Sequence, residues 1–317
     1  MRIAFIINGS IKKLSKTTSA ISKTFKNFNI RTYTSTDEEH YTQLCKEALD
    51  NDCDHVILVG GDGTVNKGIN GIINYYKLNE SKQPNDFNWN AISKIKVGVY
   101  PAGSGNDFVK TVYKDTSLTE LKQLIEKQSY QMIDIGWVRF KNLKLEKAFR
   151  FFINITDVGV GGETVKKKES LPTWLGAGFG YFWAITSTIA TYKKCSIKAY
   201  NSDFFWEGKV INMVVANGKY FGNGLGIAPD ASLTDGKFSI VIIGDITLLD
   251  YFKNFSIVKK CKKLNHPKVS YHTFDKITIE STSTRKITID MDGEFIGNAP
   301  MTLECLPKKI NFITETL

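Results

Sequence analysis

The chain has 317 residues, of which 42% are hydrophobic and 12% aromatic. This composition suits one large or two ordinary folded domains, and it excludes a disordered or fibrous protein. The formal charge of +10 favours an anionic partner, such as nucleic acid, an anionic membrane or a phosphorylated ligand, without choosing among them.

Several features of the sequence bear on the location of the protein. The five cysteines form no Cys-x-x-Cys pair, which favours free thiols in a reducing compartment. The first residues, MRIAFIINGS, have a short apolar run without a cleavage site, so we expect no signal peptide. Residues 170–192 carry no charge and are long enough to cross a bilayer. Because Pro172, three glycines and many hydroxyl groups dilute their hydrophobicity, a buried helix or one lying at a membrane surface is favoured.

The first third of the chain alternates predicted strands and helices. The segments RIAFIIN and HVILVG predict buried strands, and IRTYTS and KIKVGVYP predict two more. Amphipathic segments lie between them, including DEEHYTQLCKEALDN, for which Asp37 is a plausible N-cap. This alternation predicts a parallel sheet with helices on both faces, and such sheets bind ligands at the carboxyl ends of their strands.

Beyond residue 130 short strands dominate, and a helical stretch near residues 247–263 interrupts them. The pattern predicts a second, mostly β domain. We expect the first domain to comprise residues 1–130, with 306–317 returning to it, and the second to comprise 131–305.

Two glycine-rich loops follow predicted strands, in ILVGGDGTVNKG and VGVYPAGSGNDF. Glycines let backbone N–H groups approach a phosphate, and a following helix N-terminus adds partial positive charge. Neither the Walker A nor the dinucleotide fingerprint fits these loops. Both loops also contain an acid, Asp62 and Asp107. We therefore favour two loops around one ligand over two unrelated tight turns.

Acidic residues recur in the β domain. In RKITIDMDGEF, the side chains of Asp290, Asp292 and Glu294 share one face if the strand continues. An Asp-Gly hairpin turn with solvated acids is the slightly favoured alternative. In APDASLTDGKF, Ser232 and Asp235 belong to an oxygen-rich loop that could hold Mg²⁺ or be an ordinary turn.

The segments GGDGTVN, PAGSGNDF, SLTDG and MDGE, in this order and spacing, resemble the soluble bacterial lipid kinases of the diacylglycerol kinase catalytic family. Sphingosine and ceramide kinases share that catalytic core, and the resemblance covers nearly the whole chain. GGDGT alone also occurs in NAD kinases and the wider phosphofructokinase-like superfamily, whereas the combination is more specific to lipid kinases. The implied fold is α/β + β: a Rossmann-like parallel α/β domain of the NAD-kinase/phosphofructokinase type and a mostly antiparallel β-sandwich.

The resemblance also implies roles for individual residues, with ATP and Mg²⁺ as cofactors. Glu294 matches the proton acceptor for the lipid hydroxyl, with Asp292 close by, and Asp62 would act through Mg²⁺ at the phosphates. A structural Mg²⁺ would be held by Ser232, Asp235 and the carbonyl group of Lys237. The implied nucleotide-binding residues are Asn8, Gly9, Ser10, Ile11, Lys12, Thr36, Gly60, Gly61, Asp62, Gly63, Thr64, Val65, Asn66, Lys67, Ser104, Asn106 and Asp107.

We therefore expect ATP- and Mg²⁺-dependent phosphorylation of diacylglycerol or a related lipid, giving a lipid phosphate such as phosphatidic acid. NAD kinase is the first alternative, and a non-enzymatic nucleotide- or lipid-binding regulator is the second. The expected partners are the lipid substrate at the membrane surface and anionic phospholipid, with lysine clusters at residues 166–168 and 259–263 as candidate contacts. We expect no nucleic-acid partner. Dimers occur in the family, so a homodimer is compatible with the resemblance. The expected location is the cytoplasm, with peripheral association at the inner face of the membrane.

Overall fold

The computed structural model describes residues 1–37, 40–79, 83–140, 149–171, 177–284 and 286–315. The chain divides into two compact units, unit 1 (Met1–Asp134 and Pro307–Leu317) and unit 2 (Ile135–Leu306). The helices of the described residues are α1 (Leu14–Thr24), α2 (His40–Asp50), α3 (Asp62–Tyr75), α4 (Trp89–Ile92), α5 (Val109–Val112), α6 (Leu118–Glu126), α7 (Val160–Glu169), α8 (Ala177–Thr191) and α9 (Leu248–Lys259).

The strands alternate with helices in unit 1 and dominate unit 2. They are β1 (Ile3–Asn8), β2 (Ile30–Ser35), β3 (His55–Gly60), β4 (Lys96–Pro101), β5 (Tyr130–Phe140), β6 (Phe149–Phe152), β7 (Ile155–Gly159), β8 (Cys195–Tyr200), β9 (Phe205–Val210), β10 (Asn212–Ala216), β11 (Phe238–Ile243), β12 (Val269–Phe274), β13 (Lys276–Ser281), β14 (Thr288–Met291), β15 (Glu294–Asn298) and β16 (Met301–Ile313).

Unit 1 is built on a parallel sheet in the order β2, β1, β3, β4. The end of β16 adds a further parallel strand beside β4, where Asn311 pairs with Lys96. Apolar side chains of β1 and β3 are fully buried, because helices cover both faces of a parallel sheet. The predicted parallel α/β architecture is confirmed.

The carboxyl ends of β1 to β4 lie at one edge of this sheet, since the four strands run in the same direction. Gly60 at the end of β3 pairs with Pro101 at the end of β4. Both glycine loops therefore leave the sheet side by side, as the sequence predicts. The helix after the first loop begins at Asp62, two residues earlier than the predicted segment TVNKG.

Unit 2 is a β-sandwich, as predicted. One antiparallel sheet has the order β12, β11, β10, β7, β14, β15. The other contains the start of β16 with β13, β8 and β9, also antiparallel. Buried side chains of both sheets share one core, in which the rings of Phe152 and Phe238 stack with centroids 5.3 Å apart. Such packing of two inner faces is the main source of stability in sandwiches.

The helices α7, α8 and α9 form a second apolar cluster in unit 2 with loop residues such as Phe221 and Leu225. Most of the uncharged stretch of the sequence lies in α8, and residues 172–176 of that stretch lie outside the described residues. Among the described residues, no helix is both long and apolar enough to span a bilayer. The 15 residues of α8 reach only about 22 Å at 1.5 Å per residue, against a hydrocarbon core of about 30 Å.

Candidate functional site

The two glycine loops of unit 1 touch backbone to backbone. A Cβ atom added to Gly103 would lie 2.3 Å from Cα and 2.7 Å from N of Gly61. Normal carbon contacts are about 3.5–4.0 Å, so only glycine fits at position 103 without moving the loops apart. This contact explains why both loops are rich in glycine, which the sequence alone attributes to phosphate binding.

Asp62 joins the loops with its carboxylate. Its Oδ2 accepts the backbone N–H of Asp107 at 3.0 Å, and its Oδ1 accepts that of Phe108 at 2.9 Å. Burial raises the pKa of Asp62 and the nearby Asp107 charge raises it further, while the two N–H donors act in the opposite direction. The acid in the first loop thus holds the second loop in place.

The second loop is closed by its own side chains. Asn106 has a positive φ of 52° and its amide group both donates to Gly103 O at 2.9 Å and accepts from Gly103 N at 3.1 Å. The buried carboxylate of Asp107 accepts from Lys110 Nζ at 2.6 Å, and the same ammonium donates to Gly105 O. Lys110 therefore compensates part of the negative charge that two neighbouring acids bring to this edge.

A hydroxyl and amide network connects the ends of β1, β2 and β3. Asn8 Nδ2 donates to Thr64 Oγ1 at 3.2 Å, and the hydroxyl of Tyr41 lies 3.5 Å from the same oxygen. Ser35 Oγ donates to Tyr41 and accepts the backbone N–H of Gly9. The predicted residues at positions 8, 9 and 64 are thus brought together by contacts of the ends of β1 and β2 with Tyr41 of α2 and Thr64 of α3.

The other predicted nucleotide-binding residues of unit 1 occupy the same sheet edge with different exposure. Val65 and Asn66 have buried side chains inside α3, so their side chains belong to the helix packing. Ser10, Lys12, Thr36 and Ser104 are exposed, while Ile11, Gly63 and Lys67 are partly buried. The hydroxyl of Thr36 donates to Asp37 Oδ2 at 2.8 Å. Asp37 also accepts the N–H of His40 at 3.0 Å, which is the predicted capping hydrogen bond.

The Asp-Gly-Glu segment of unit 2 is a hairpin turn between β14 and β15. Asp292 and Gly293 have φ values of 49° and 86°, so the strand ends before them and the three acids do not share one face. The buried carboxylate of Asp292 accepts three backbone N–H groups, from Ile153, Asn154 and Ile155, at 2.9–3.1 Å. Asp292 therefore anchors the turn to the chain between β6 and β7.

Glu294 follows the turn as the first residue of β15 and is one-quarter exposed. Its Oε2 accepts from Arg150 Nη2 at 2.8 Å. The guanidinium group fixes the orientation of this carboxylate through a charge-assisted hydrogen bond. Of the two acids predicted for proton transfer, Glu294 is the one whose side chain reaches solvent, whereas Asp292 is buried.

Two further buried acids face each other beside this turn. Asp157 on β7 and Asp290 on β14 are opposite residues in the antiparallel pair. Burial raises the pKa of Asp157 to about 7, against hydrogen bonds from Asn212 and the N–H of Gly161. Burial also raises the pKa of Asp290 well above its usual range, and the charges of Asp157 and Asp292 raise it further. Two like-charged carboxylates on opposite residues of a dry core therefore each oppose the ionisation of the other.

The predicted metal loop at residues 232–237 has an all-oxygen donor set, which suits Mg²⁺. In the structure Asp235 is exposed and its Oδ1 accepts the N–H of Lys237 at 3.1 Å, while Ser232 Oγ lies 3.3 Å from Thr234 Oγ1. No cluster of three or more His, Cys, Asp or Glu side chains suited to a metal occurs among the described residues. The oxygen donors of this loop fit Mg²⁺ chemically. The loop carries little negative charge, because it contributes only one carboxylate.

An apolar cleft lies in unit 2 beneath α8 and α9. Its void is about 680 Å³ including the open mouth. Ile185 and Ile189 of α8, Tyr251 and Phe255 of α9, and Val160 of α7 line it. Its walls are mostly apolar, so they favour an aliphatic over a charged ligand.

Sequence reasoning missed Lys110, Arg150 and the Asp157–Asp290 pair. Lys110 was detectable, because it follows Asp107 by three residues at the start of a helix. Arg150 carries a weaker signal, as a single cation within the apolar strand FRFF. The Asp157–Asp290 pair leaves no signal in the sequence, because it depends on the register of two strands that are far apart in the chain.

Known proteins show similarity along nearly the whole chain. Residues 2–138 match the diacylglycerol kinase catalytic domain, and residues 156–314 match the YegS C-terminal NAD kinase beta sandwich-like domain. A diacylglycerol kinase of Staphylococcus haemolyticus (strain JCSC1435) is 24% identical over 285 residues, which covers 89% of this chain and 77% of the relative.

Solved structures share the fold. A diacylglycerol kinase structure from Bacillus anthracis str. Sterne superposes with a TM-score of 0.68 at 18% identity, covering 99% of this chain and 97% of that one. Yeast NADH kinase complexed with NADH superposes with a TM-score of 0.51 at 9% identity, covering 100% and 84%. These likenesses concern architecture. The two domain matches carry the assignment: the chain belongs to the phosphotransferase family in which a diacylglycerol kinase catalytic domain precedes a YegS-type C-terminal domain.

Proposed function

We propose that the protein transfers the γ-phosphoryl group of ATP to the hydroxyl group of diacylglycerol or a related lipid, giving a lipid phosphate such as phosphatidic acid. The observation that carries this proposal is the joined pair of glycine loops at the carboxyl ends of β3 and β4, held by Asp62. Phosphoryl transfer depends mainly on positioning and charge neutralisation, and a doubly fixed loop supplies positioning.

The phosphates would bind at the start of α3. The first N–H groups of a helix have no partner within the helix and attract anions. The carboxylate of Asp62 already accepts hydrogen bonds from the other loop, so it leaves the helix N–H groups of residues 62–64 to the ligand. Residues 8–12, Thr36 and Ser104, which follow the other strands of the same edge, would contact the rest of the nucleotide.

Mg²⁺ would neutralise phosphate charge during transfer. Asp62 and Asp107 are the acids that would face it, directly or through water. Ser232, Asp235 and the carbonyl group of Lys237 would hold a separate structural ion in unit 2. Lys110 would keep the Asp107 side chain oriented through the ion pair described above.

Glu294 would act as the general base. The lipid hydroxyl oxygen would form the new bond to the γ-phosphorus as the bond to the bridging oxygen breaks. ADP would leave and Glu294 would take the hydroxyl proton. The exposed part of Glu294 and its ion pair with Arg150 support this role, and the apolar cleft of unit 2 offers space for an acyl chain.

The test is transfer of ³²P from [γ-³²P]ATP with Mg²⁺ to diacylglycerol, and in parallel to NAD. We expect lipid phosphate to form and Glu294→Gln to lower kcat by about 10²–10⁴-fold. Glu304→Gln is the matched control, because Glu304 is similarly exposed and also pairs with a cation, Lys276. Labelled NADP without labelled lipid would replace this proposal with the NAD kinase alternative. Nucleotide binding without phosphorylation of any acceptor would favour a regulator.

A further inference from the structure

Exposed large apolar side chains gather on the two helices that cover the cleft of unit 2. Trp183 on α8 is 52% exposed, and Leu249 and Phe252 on α9 are 60% and 45% exposed. The helices are in contact, since the ring of Phe182 lies 6.4 Å from that of Phe252 and 5.7 Å from that of Phe255. Apolar groups exposed together mark an interaction site more often than scattered ones do.

The outer and inner faces of α9 differ in character. Tyr251, Phe255 and Val258 point into the cleft. Leu249 and Phe252 lie outside the cleft and are exposed. Lys253 and Lys260 are exposed too. Phe252 and Lys253 follow Leu249 by three and four residues, and Lys260 follows Lys253 by seven, so all four lie on the same side of the helix. A helix with aromatic and aliphatic side chains beside lysines is typical of segments that lie at a membrane interface.

The charge of this region is strongly positive. Residues 248–268 contain six lysines and a single acid, Asp250. That acid is turned back onto the helix N-terminus, where it accepts the N–H and hydroxyl group of Thr247 at 2.8 Å. Lys263 pairs with Asp230, and Lys259 donates to the carbonyl of Asn223. The other lysine cluster interacts with aromatic rings of unit 2, since Lys166 lies 3.7 Å from the ring centroid of Phe295.

We propose that the outer faces of α8 and α9 dock on an anionic phospholipid bilayer. We call the surface formed by Trp183, Leu249, Phe252, Lys253 and Lys260 the docking face. Its apolar side chains enter the boundary between headgroups and acyl chains, and its lysines contact lipid phosphates. The inference rests on the proposed function, because docking here would bring the cleft beneath these helices to the membrane from which a lipid acceptor must come.

A second copy of the chain is a poorer occupant of the same surface. A symmetric dimer through this face would place its lysines opposite one another, since such interfaces bring the same patch of both subunits together. Like charges brought together in that way disfavour association. An anionic bilayer instead offers the complementary charge.

Vesicle binding by the full-length protein tests the apolar part of the docking face. Sedimentation with phosphatidylglycerol–phosphatidylcholine vesicles should show that Leu249→Ser/Phe252→Ser binds at least tenfold more weakly than the wild type. The matched control is Leu78→Ser/Phe205→Ser, because Leu78 is 60% exposed and Phe205 66% exposed elsewhere on the chain. Equal binding by both double variants would overturn the inference. The melting temperatures of both double variants should stay within a few degrees of the wild type, because the four side chains are 45–66% exposed.

The charged part is tested in the same assay. Each lysine near an anionic surface strengthens binding by about fivefold, so Lys253→Gln/Lys260→Gln should bind roughly 25-fold more weakly at low salt. Lys46→Gln/Lys94→Gln removes the same charge from exposed positions of unit 1 and should lose much less. Binding that is equally strong to pure phosphatidylcholine would contradict the electrostatic half of the inference.

Two further measurements separate the outcomes. Brominated acyl chains should quench tryptophan fluorescence in the wild type and quench it less in Trp183→Phe. If Leu249→Ser/Phe252→Ser dissociates a dimer without weakening vesicle binding, the face is a protein interface and the inference fails. Transfer of phosphate by the wild type to short-chain dioctanoylglycerol tests the kinase function separately. If vesicle binding depends on the docking face but no phosphate is transferred to dioctanoylglycerol, the kinase proposal is overturned and the docking inference stands.

Discussion

The contact between the glycine loops makes Gly103→Ala the sharpest test of the site in unit 1. The added Cβ would lie 2.3 Å from Gly61 Cα. Normal carbon contacts begin near 3.5 Å, so the loops must separate by roughly 1.2 Å. Both contacting atoms belong to the backbone, and a change of rotamer therefore gives no relief.

The same displacement reaches the hydrogen bonds of Asp62. Its bond to Asp107 N is 3.0 Å long, and a shift of roughly 1.2 Å in that direction would exceed the range of a hydrogen bond. Partial relaxation will share the strain, so we expect a loss of about 1–3 kcal/mol in the free energy of unfolding, as for other overpacked sites. We expect ATP affinity to fall at least tenfold.

Urea unfolding and titration with a fluorescent ATP analogue measure the two effects. Gly180→Ala is the control, because a Cβ there has no atom of the described residues within 4 Å, apart from the backbone of its own helix. That change should stabilise the protein by about 0.5–1 kcal/mol, because alanine favours helices over glycine. Wild-type stability together with wild-type ATP affinity in Gly103→Ala would refute the requirement for close loop contact.

Two other predictions concern unit 2. Arg150→Gln should lower kcat at least tenfold with little change in KM, because it releases Glu294 from a 2.8 Å hydrogen bond. Arg139→Gln is the control, because Arg139 is exposed on the neighbouring strand, and it should leave kcat unchanged. Equal losses of kcat in both variants would exclude a positioning role for Arg150. Because burial raises the pKa of Asp157 to about 7 in the folded state, the folded protein holds a proton that the unfolded chain releases near pH 4. The free energy of unfolding should therefore fall as the pH rises from about 4 to about 7, by up to about 1.4 kcal/mol per pH unit. Asp157→Asn should reduce that slope, since Asp290, whose pKa burial also raises, remains, and it should be the more stable protein at pH 8 by urea unfolding. Exposed Asp203→Asn should keep the full slope.

The architecture of unit 1 was predictable because patterns within short segments of the sequence indicate each of its strands and helices. Buried parallel strands are continuous apolar runs, and the run HVILVG coincides with β3 residue for residue. The strand-like segment IRTYTS coincides with β2, which is mostly exposed. The sandwich of unit 2 followed from short strands with alternating polarity, and the Asp-Gly turn from its two residues. The hairpin turn is confirmed, but Asp290 and Asp292 beside it are buried and not solvated. Continuation of the strand through Asp292 is wrong.

The partners of the site residues were not predictable, because they depend on register and on side-chain direction. The hydrogen bonds of Asp62 join residues 45 and 46 positions apart, and the ion pair of Glu294 joins residues 144 positions apart. A pattern within one segment cannot specify which distant backbone N–H a carboxylate will meet. The same limit hid the buried acid pair, which exists only because β7 and β14 align Asp157 with Asp290.

An acid within a phosphate-binding loop is unfavourable only if its charge faces the phosphates without compensation. At 4 Å, two unit charges repel by about 4 kcal/mol at an effective dielectric constant of 20, which would outweigh the attraction of a helix N-terminus, worth about 1 kcal/mol. In this protein the Asp62 carboxylate accepts two N–H groups from the second loop, and Lys110 holds the neighbouring Asp107. The acid therefore joins the two loops, and part of its charge is already compensated. In the proposed reaction, Mg²⁺ between this acid and the phosphates would neutralise the charge that remains.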